Sequence, residues 1–280
     1  MQIMLILLLS VCRLALARQR FPLWLEYLTG LDDWPGDSPP YVPMPQLELD
    51  TVPEGPIYGM DDCLSVPIEA CSFYCDNCAA SSDVTTCPRL SQTFDDGPTM
   101  ATDYLLDNLK QPTTFFTLGR QVVKYPGIFK RARDDGHLLG THTWSHVYLP
   151  SLTNEEIAAQ LQWSMFAMNV TGGVVPRFFR PPYGGIDNRV REIASRFGLI
   201  TVLWDSDPQD WRLNNGSTSK KRVFNMAVPP KGTKRPQGLI LEHDTTMDTV
   251  RIGLDISRQL KRQFTVADCI DTGRWYLSEP

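Results

Sequence analysis

Thr93-Phe94-Asp95-Asp96-Gly97-Pro98-Thr99, TFDDGPT, is where a short run of strand-forming residues stops on two adjacent carboxylates. A strand turns successive side chains to opposite faces, so Asp95 and Asp96 can serve one site only if the backbone bends between or just after them. Gly97 and Pro98 supply that bend. Paired carboxylates at such a turn suit a division of labour in which one binds a metal and the other handles protons. The same four residues also make an ordinary surface turn, so the rest of the chain has to decide.

Working outward, strand and helix patterns alternate. An apolar run at Leu90 to Phe94 precedes a helical stretch near Ala101 to Lys110, and Thr113 to Leu118, TTFFTL, has the β-branched and aromatic content of a strand. Gly136 to Gly140 predicts a further strand segment. Thr153 with Glu156 forms a capping box ahead of Ile157, Leu161, Met165 and Met168 at helical spacing, core positions rather than a cofactor box. Phe178 to Arg180 predicts a strand end. Asp187 to Phe197 predicts a helix, with Val190, Ile193, Ala194 and Phe197 inward and Gly198 as its stop. Leu199 to Trp204 and Leu239 to Leu241 are apolar strands flanking a polar loop over roughly 214–237, and Val250 to Phe264 closes the pattern as a helix. Repeated strand then helix means a largely parallel sheet or barrel, whose chemistry collects at the C-terminal strand ends. Every unusual polar cluster follows such a strand: Asp95-Asp96, His142 to His146, Arg180 to Tyr183, Asp207 to Trp211 and His243-Asp244.

Only 4 histidines exist in the 280 residues, and three of them, His142, His146 and His243, lie in those clusters. Spacing of four between His142 and His146 lets two imidazoles aim at one ion, and a nearby carboxylate completes a set with open positions for water and substrate. His137 matches no such position and is taken as structural. With 32 acidic against 27 basic residues the net charge is −5, and no long basic run offers itself to nucleic acid. A neutral or cationic polymer suits this balance better than a polyanion.

Residues Ile3 to Val11 form an uncharged aliphatic run, and Ala15-Leu16-Ala17 has the small-x-small form of a signal-peptidase site, so 1–17 is expected to be a signal peptide. The run is short for a membrane span, which needs roughly 20 residues. Removal of Cys12 with the signal leaves Cys63, Cys71, Cys75, Cys78, Cys87 and Cys269, an even count that predicts three disulfides in an exported protein. The crowding of four within 63–78 also admits a zinc knot, and Cys87 and Cys269 could clasp the two ends of the domain. Asn169-Val170-Thr171 and Asn215-Gly216-Ser217 are glycosylation sequons. Residues 18–88 divide into a proline-dense arm, in which regular helix is not expected, and the cysteine cluster; 89–280 form the catalytic domain.

Taken in order, TFDDGPT, HTWSH, RPPYGG, DPQDW and LEHD resemble the five motifs of the polysaccharide deacetylases, carbohydrate esterase family 4, the NodB-homology domain. The likeness spans about 90–270 and is strongest to fungal chitin deacetylases; the arm and cysteine cluster resemble those of the yeast ascospore-wall members. It implies a distorted (β/α) barrel and metal-dependent hydrolysis of N-acetyl groups in chitin, giving chitosan and acetate. By the same resemblance Asp96, His142 and His146 hold the metal, zinc with cobalt as a substitute. Asp95 is the general base, Arg180 its orienting partner, and the Tyr183 N–H an oxyanion donor. His243 is the general acid, Asp210 the carboxylate that charges it, and Trp211 and Leu241 line the acetyl-methyl pocket. One departure is Pro208, where relatives carry Ser or Thr; a proline there removes a donor and leaves the placement of Asp210 less secure. The resemblance further implies a monomer, secreted to the cell or spore wall. Deacetylation of peptidoglycan or acetylxylan, a non-catalytic chitin-binding wall protein and an iron oxygenase built on the same two-His, one-carboxylate set are the alternatives.

Overall fold

The computed structural model describes residues 21–228, 237–260 and 262–278; the expected signal peptide lies outside them. The chain divides into two compact units, the second beginning at Pro35. In the first, α1 (Leu23–Thr29) corrects the expectation of an arm without regular helix. Pro22 sits at its N-cap, where a missing N–H breaks no helical bond, and Gly30 in the left-handed region (φ 69°) ends it.

The second unit carries α2 (Phe73–Asp76), β1 (Leu90–Asp95), α3 (Met100–Asn108), β2 (Thr114–Thr117), α4 (Gly119–Lys124), α5 (Pro126–Asp134), β3 (Leu138–Thr141) and α6 (Asn154–Gly172). There follow β4 (Val175–Pro176), β5 (Phe178–Phe179), α7 (Asn188–Arg196), β6 (Ile200–Thr201), α8 (Lys220–Ala227), β7 (Gly238–His243), α9 (Met247–Ser257), α10 (Val266–Cys269) and β8 (Tyr276–Ser278). Six strands form one parallel sheet in the order β6-β5-β3-β2-β1-β7, and β4 pairs separately with β8. Beyond β6 the chain makes a parallel bridge from Ser206 to Ile240 of β7, joined by Ser206 N–H to Leu239 O (3.1 Å) and Leu241 N–H to Ser206 O (2.9 Å). The outermost strand is thus stitched to the opposite one, and the sheet curls back on itself as a distorted barrel.

Strand β1 is buried along its whole length, as a central parallel strand requires. Phe94 stacks on Phe115 of β2 with ring centroids 5.5 Å apart. The capping box at Thr153 and Glu156 forms as expected, with Glu156 accepting from the Thr153 N–H at 2.9 Å. Leu47, Leu49 and Val52 of the proline-dense segment enter one core with Leu149, Ile157, Leu161 and Ile193, so this part of the arm is packed into the domain. The Gln162 side chain bonds both the N–H and the C=O of Val42, at 3.0 and 2.9 Å.

Three expectations need correction. The segment 199–204 forms a ladder only at Ile200–Thr201; the Val202 N–H still donates to Phe179 O at 2.8 Å, and Val202 also bridges Val84 on its other side. The polar loop contains α8, whose Val223 and Ala227, one turn apart, are its only buried residues. Helix α9 begins three residues early, at a Thr246–Thr249 capping box, and ends at Ser257. All three disulfides form: Cys63–Cys75, Cys71–Cys78 and Cys87–Cys269. The pairing of the first four as two bridges removes the zinc-knot alternative.

Candidate active site

In a parallel ladder, residues in register face the same side. Asp95 pairs with His243 and Thr93 with Leu241, so all four point to the side opposite Phe94 and Glu242. Asp96 follows in the left-handed region (φ 79°), which turns its carboxylate back toward the same site. This is the bend the sequence required, made at Asp96 itself, one residue before Gly97. Gly97 is needed for another reason: a Cβ there would lie 2.1 Å from Asp244 Oδ2.

Asp96 Oδ1 lies 3.4 Å from His142 Nε2 and 3.2 Å from His146 Nε2. The three ligand atoms fall within 4.8 Å of one another, a set able to hold a metal ion. His142 Nδ1 is 2.7 Å from the Arg180 carbonyl, which accepts its proton and leaves Nε2 with a free lone pair. Asp96 Oδ1 is buried without a hydrogen-bond partner, an arrangement a cation satisfies. Burial opposes ionisation of Asp96, but the two imidazoles and His243 outweigh it and hold the carboxyl well below the usual carboxylate range.

Arg180 is wholly buried and its desolvation pulls its pKa down, against the Asp95 carboxylate that favours its charge. Its Nη1 donates to Asp95 Oδ1 (2.9 Å) and Thr93 Oγ1 (2.5 Å), and Nη2 to Leu203 O (2.9 Å). Phe116 faces the guanidinium at 4.3 Å and Trp204 at 5.7 Å. Thr93, Phe116 and Trp204 were not anticipated. Thr93 had a signal, since it stands two residues before Asp95 on the same strand face.

Asp210 is fully buried and spends both oxygens on His243, accepting from its N–H at 2.8 Å and from Nδ1 at 2.7 Å. Burial disfavours the imidazolium, but the Asp210 charge and hydrogen bond prevail and push the His243 pKa up to about 10. The concern over Pro208 is not met. Asp207 Oδ1 accepts from the Gln209 N–H at 2.7 Å, and Gln209 is left-handed (φ 59°). Proline followed by a left-handed residue is a favoured turn pairing, so Pro208 fixes the approach to Asp210.

Tyr183 is also left-handed (φ 60°), half-exposed, with its ring edge-on to His146 at 4.5 Å. Trp211 stands exposed beside Asp210, and Leu241 is buried on β7 two residues before His243. His137 lies apart: burial lowers its pKa to about 4, and its Nδ1 accepts from the Thr113 N–H at 3.2 Å. Its role as a structural residue follows from that. Of the sequons, Asn215 sits on an exposed turn and Asn169 in the last turns of α6.

The sequence profile described as Polysaccharide deacetylase matches residues 82–202. Chitin deacetylase 2 of Saccharomyces cerevisiae is 47% identical over 268 residues, 95% of this chain and 85% of the relative. The chain belongs to the polysaccharide deacetylase family. Chitin deacetylase 1 of the same yeast is 49% identical over 253 residues, 89% of this chain and 83% of that protein. Among solved structures, the chitin deacetylase of the fungal pathogen Colletotrichum lindemuthianum superposes with a TM-score of 0.60 at 25% identity, over 69% of this chain and 94% of that one. A polysaccharide deacetylase uses a metal, and Asp96, His142 and His146 offer the place for it. Among the described residues no helix is long and apolar enough to cross a membrane.

Proposed function

We propose that this polysaccharide deacetylase hydrolyses the N-acetyl groups of N-acetylglucosamine residues in chitin, giving chitosan and acetate, with zinc as its metal. The observation that carries the reading is the in-register pair of Asp95 and His243, which puts a carboxylate and an imidazole on the same face of the sheet, with the carboxylate next in sequence to Asp96 of the ligand triad. Similarity to two yeast chitin deacetylases along most of the chain supports the polymer. Held by Asp96, His142 and His146, a divalent ion supplies Lewis acidity toward the acetyl carbonyl and lowers the pKa of water.

The protein's own groups do the rest. Asp95, kept in place by the Arg180 fork, takes the proton of the attacking water. The backbone N–H of Tyr183 donates to the oxyanion as the carbonyl carbon becomes tetrahedral. His243, charged by Asp210, gives its proton to the sugar nitrogen as the C–N bond breaks, so that an amine and not an amide anion departs. Trp211 and Leu241 wall the space for the acetyl methyl. An iron oxygenase would have no task for Asp95 or His243.

The catalytic domain is taken as 89–280, preceded by the arm and stapled segment of 18–88, and the enzyme acts as a monomer secreted to the cell or spore wall, glycosylated at Asn215 and Asn169. Acetate release from chitin oligosaccharides by the zinc-loaded protein is the test. Wild type is expected to release acetate, and Asp95→Asn to lose at least about a hundredfold in rate while binding zinc normally. A chelated sample should be silent until zinc is restored. An active Asp95→Asn would sink the base assignment, and a zinc-loaded wild type that releases none would sink the reading as a chitin deacetylase.

A further inference from the structure

The stapled segment is built against the loop that carries Tyr183. The Phe73 N–H of α2 donates to Ile186 O at 3.1 Å, and the Phe73 ring meets Trp204 edge-to-face with centroids 5.3 Å apart. Gly184 passes directly beneath both rings with φ +69°, and a Cβ there would lie 2.9 Å from Phe73 Cδ1 and 3.1 Å from Trp204 Cη2. Trp204 is one of the two rings that face the Arg180 guanidinium, and Arg180 holds Asp95. Phe73 therefore touches the left-handed loop on one side and the aromatic wall of Arg180 on the other.

The segment is itself fixed from behind. Arg191 of α7 donates to the carbonyls of Cys71 (2.7 Å) and Cys78 (3.0 Å), the two residues joined by one disulfide, and pairs with Asp83 at 2.9 Å. Asn188 of the same helix donates to Glu69 O at 2.9 Å. A four-residue helix with no core of its own is thereby held rigidly over 182–186.

We infer that the disulfide-stapled segment is a brace for the catalytic loop, and that Phe73 is a positioning residue which sets the Tyr183 N–H against the substrate carbonyl. Tyr183 is left-handed between Pro181-Pro182 and Gly184-Gly185; the prolines fix their own φ on the near side, but the two glycines leave the far side of the loop free to turn. The brace supplies the restriction, and a displacement of about 1 Å in such a donor is enough to cost orders of magnitude in rate. The kinetic half of this inference rests on the deacetylase reading; the structural half does not.

The test compares wild type, Phe73→Ala and Phe73→Leu, all zinc-loaded. Amide hydrogen exchange at Gly184, Gly185 and Ile186 is expected to quicken about tenfold or more in Phe73→Ala while the β1 amides keep their protection. Acetate release should lose about tenfold or more in kcat, with KM and zinc affinity within about twofold of wild type. Phe73→Leu, which keeps the apolar bulk over Gly184, should recover most of both. Unchanged exchange at 184–186 in Phe73→Ala would overturn the brace, as would a variant whose zinc affinity and kcat fall together. Because exchange is read without substrate, failure of the brace and failure of the deacetylase reading are told apart.

Discussion

Asp210 and His243 form a doubly hydrogen-bonded pair in the site. The histidine would titrate below its ordinary value from burial alone, and Asp210 reverses the sign and lifts it to about 10. A raised histidine pKa means that the imidazolium, and any stability it lends, is fully present below the unfolded value near 6.5 and is lost as pH climbs through the folded one. A cation at the neighbouring ligand triad works against this charge, so the alkaline limb of activity in the loaded enzyme falls below 10. Asp210→Asn removes the partner charge and leaves the desolvation, so the alkaline limb of kcat should move down by about two pH units or more. A pH–rate profile of the variant beside wild type checks this, and an unmoved limb would detach His243 from the acid role. The candidate ligands His142 and His146, the carboxylates and Arg180 stand out in the sequence, because each is a rare polar residue placed just after a strand pattern, and the fold brings them together. Thr93 is legible by strand parity alone, since it shares a strand face with Asp95. Phe116 and Trp204 were not legible as partners of Arg180, since aromatic residues in strand patterns look like core whether or not a guanidinium faces them.

Among elements, the β1 turn carries the most constraint for its length. Asp96 takes the left-handed conformation, Gly97 lies against the buried Asp244 carboxylate, and Thr99 caps α3 while donating to Asp244 O at 2.7 Å. Thr102 Oγ1 donates to Asp244 Oδ2 at 2.6 Å, and burial raises the Asp244 pKa to about 7. Gly97→Ala must displace either that carboxylate or the turn, and should destabilise the fold by about 1–3 kcal/mol. Because Asp96 immediately precedes it, zinc affinity should drop as well, by about tenfold or more. Denaturant titration with a zinc-binding isotherm reads both, and a variant with native zinc affinity would show that the turn can yield without moving the ligand. Elements that the sequence did not reveal share one trait. Helix α8 buries only two residues of KKRVFNMA, and α4 and α5 are short pieces separated at Tyr125-Pro126, so neither offers a long periodic stripe.

At the scale of the molecule, the sheet is closed by hydrogen bonds at Ser206 and Ile240 and the domain by covalent chemistry at Cys87 and Cys269, 182 residues apart. Spanning so long a stretch, this bridge restricts the unfolded chain by about 5 kcal/mol on a chain-entropy estimate, the upper end of what disulfides contribute. Replacing both cysteines by serine should therefore lower unfolding free energy by about 2–5 kcal/mol, measured by denaturation of the zinc-loaded protein. A loss well under 1 kcal/mol would mean that the barrel's own contacts already bring the two ends together in the unfolded chain. The alternation of strand and helix made the parallel barrel legible, but not its closure. The seam depends on Ser206, a polar residue after an interrupted strand, and on Val84, which lies outside any strand pattern.

That long clasp also decides how the protein ages. A protease that cuts one exposed turn, such as the Asn215-Gly216 tip, leaves two pieces with all the parallel strands distributed between them, yet both remain one covalent molecule through Cys87 and Cys269. Damage at the surface is then a scar and not a separation, and the catalytic loops on both sides of the cut keep the scaffold that positions them until a reductant arrives.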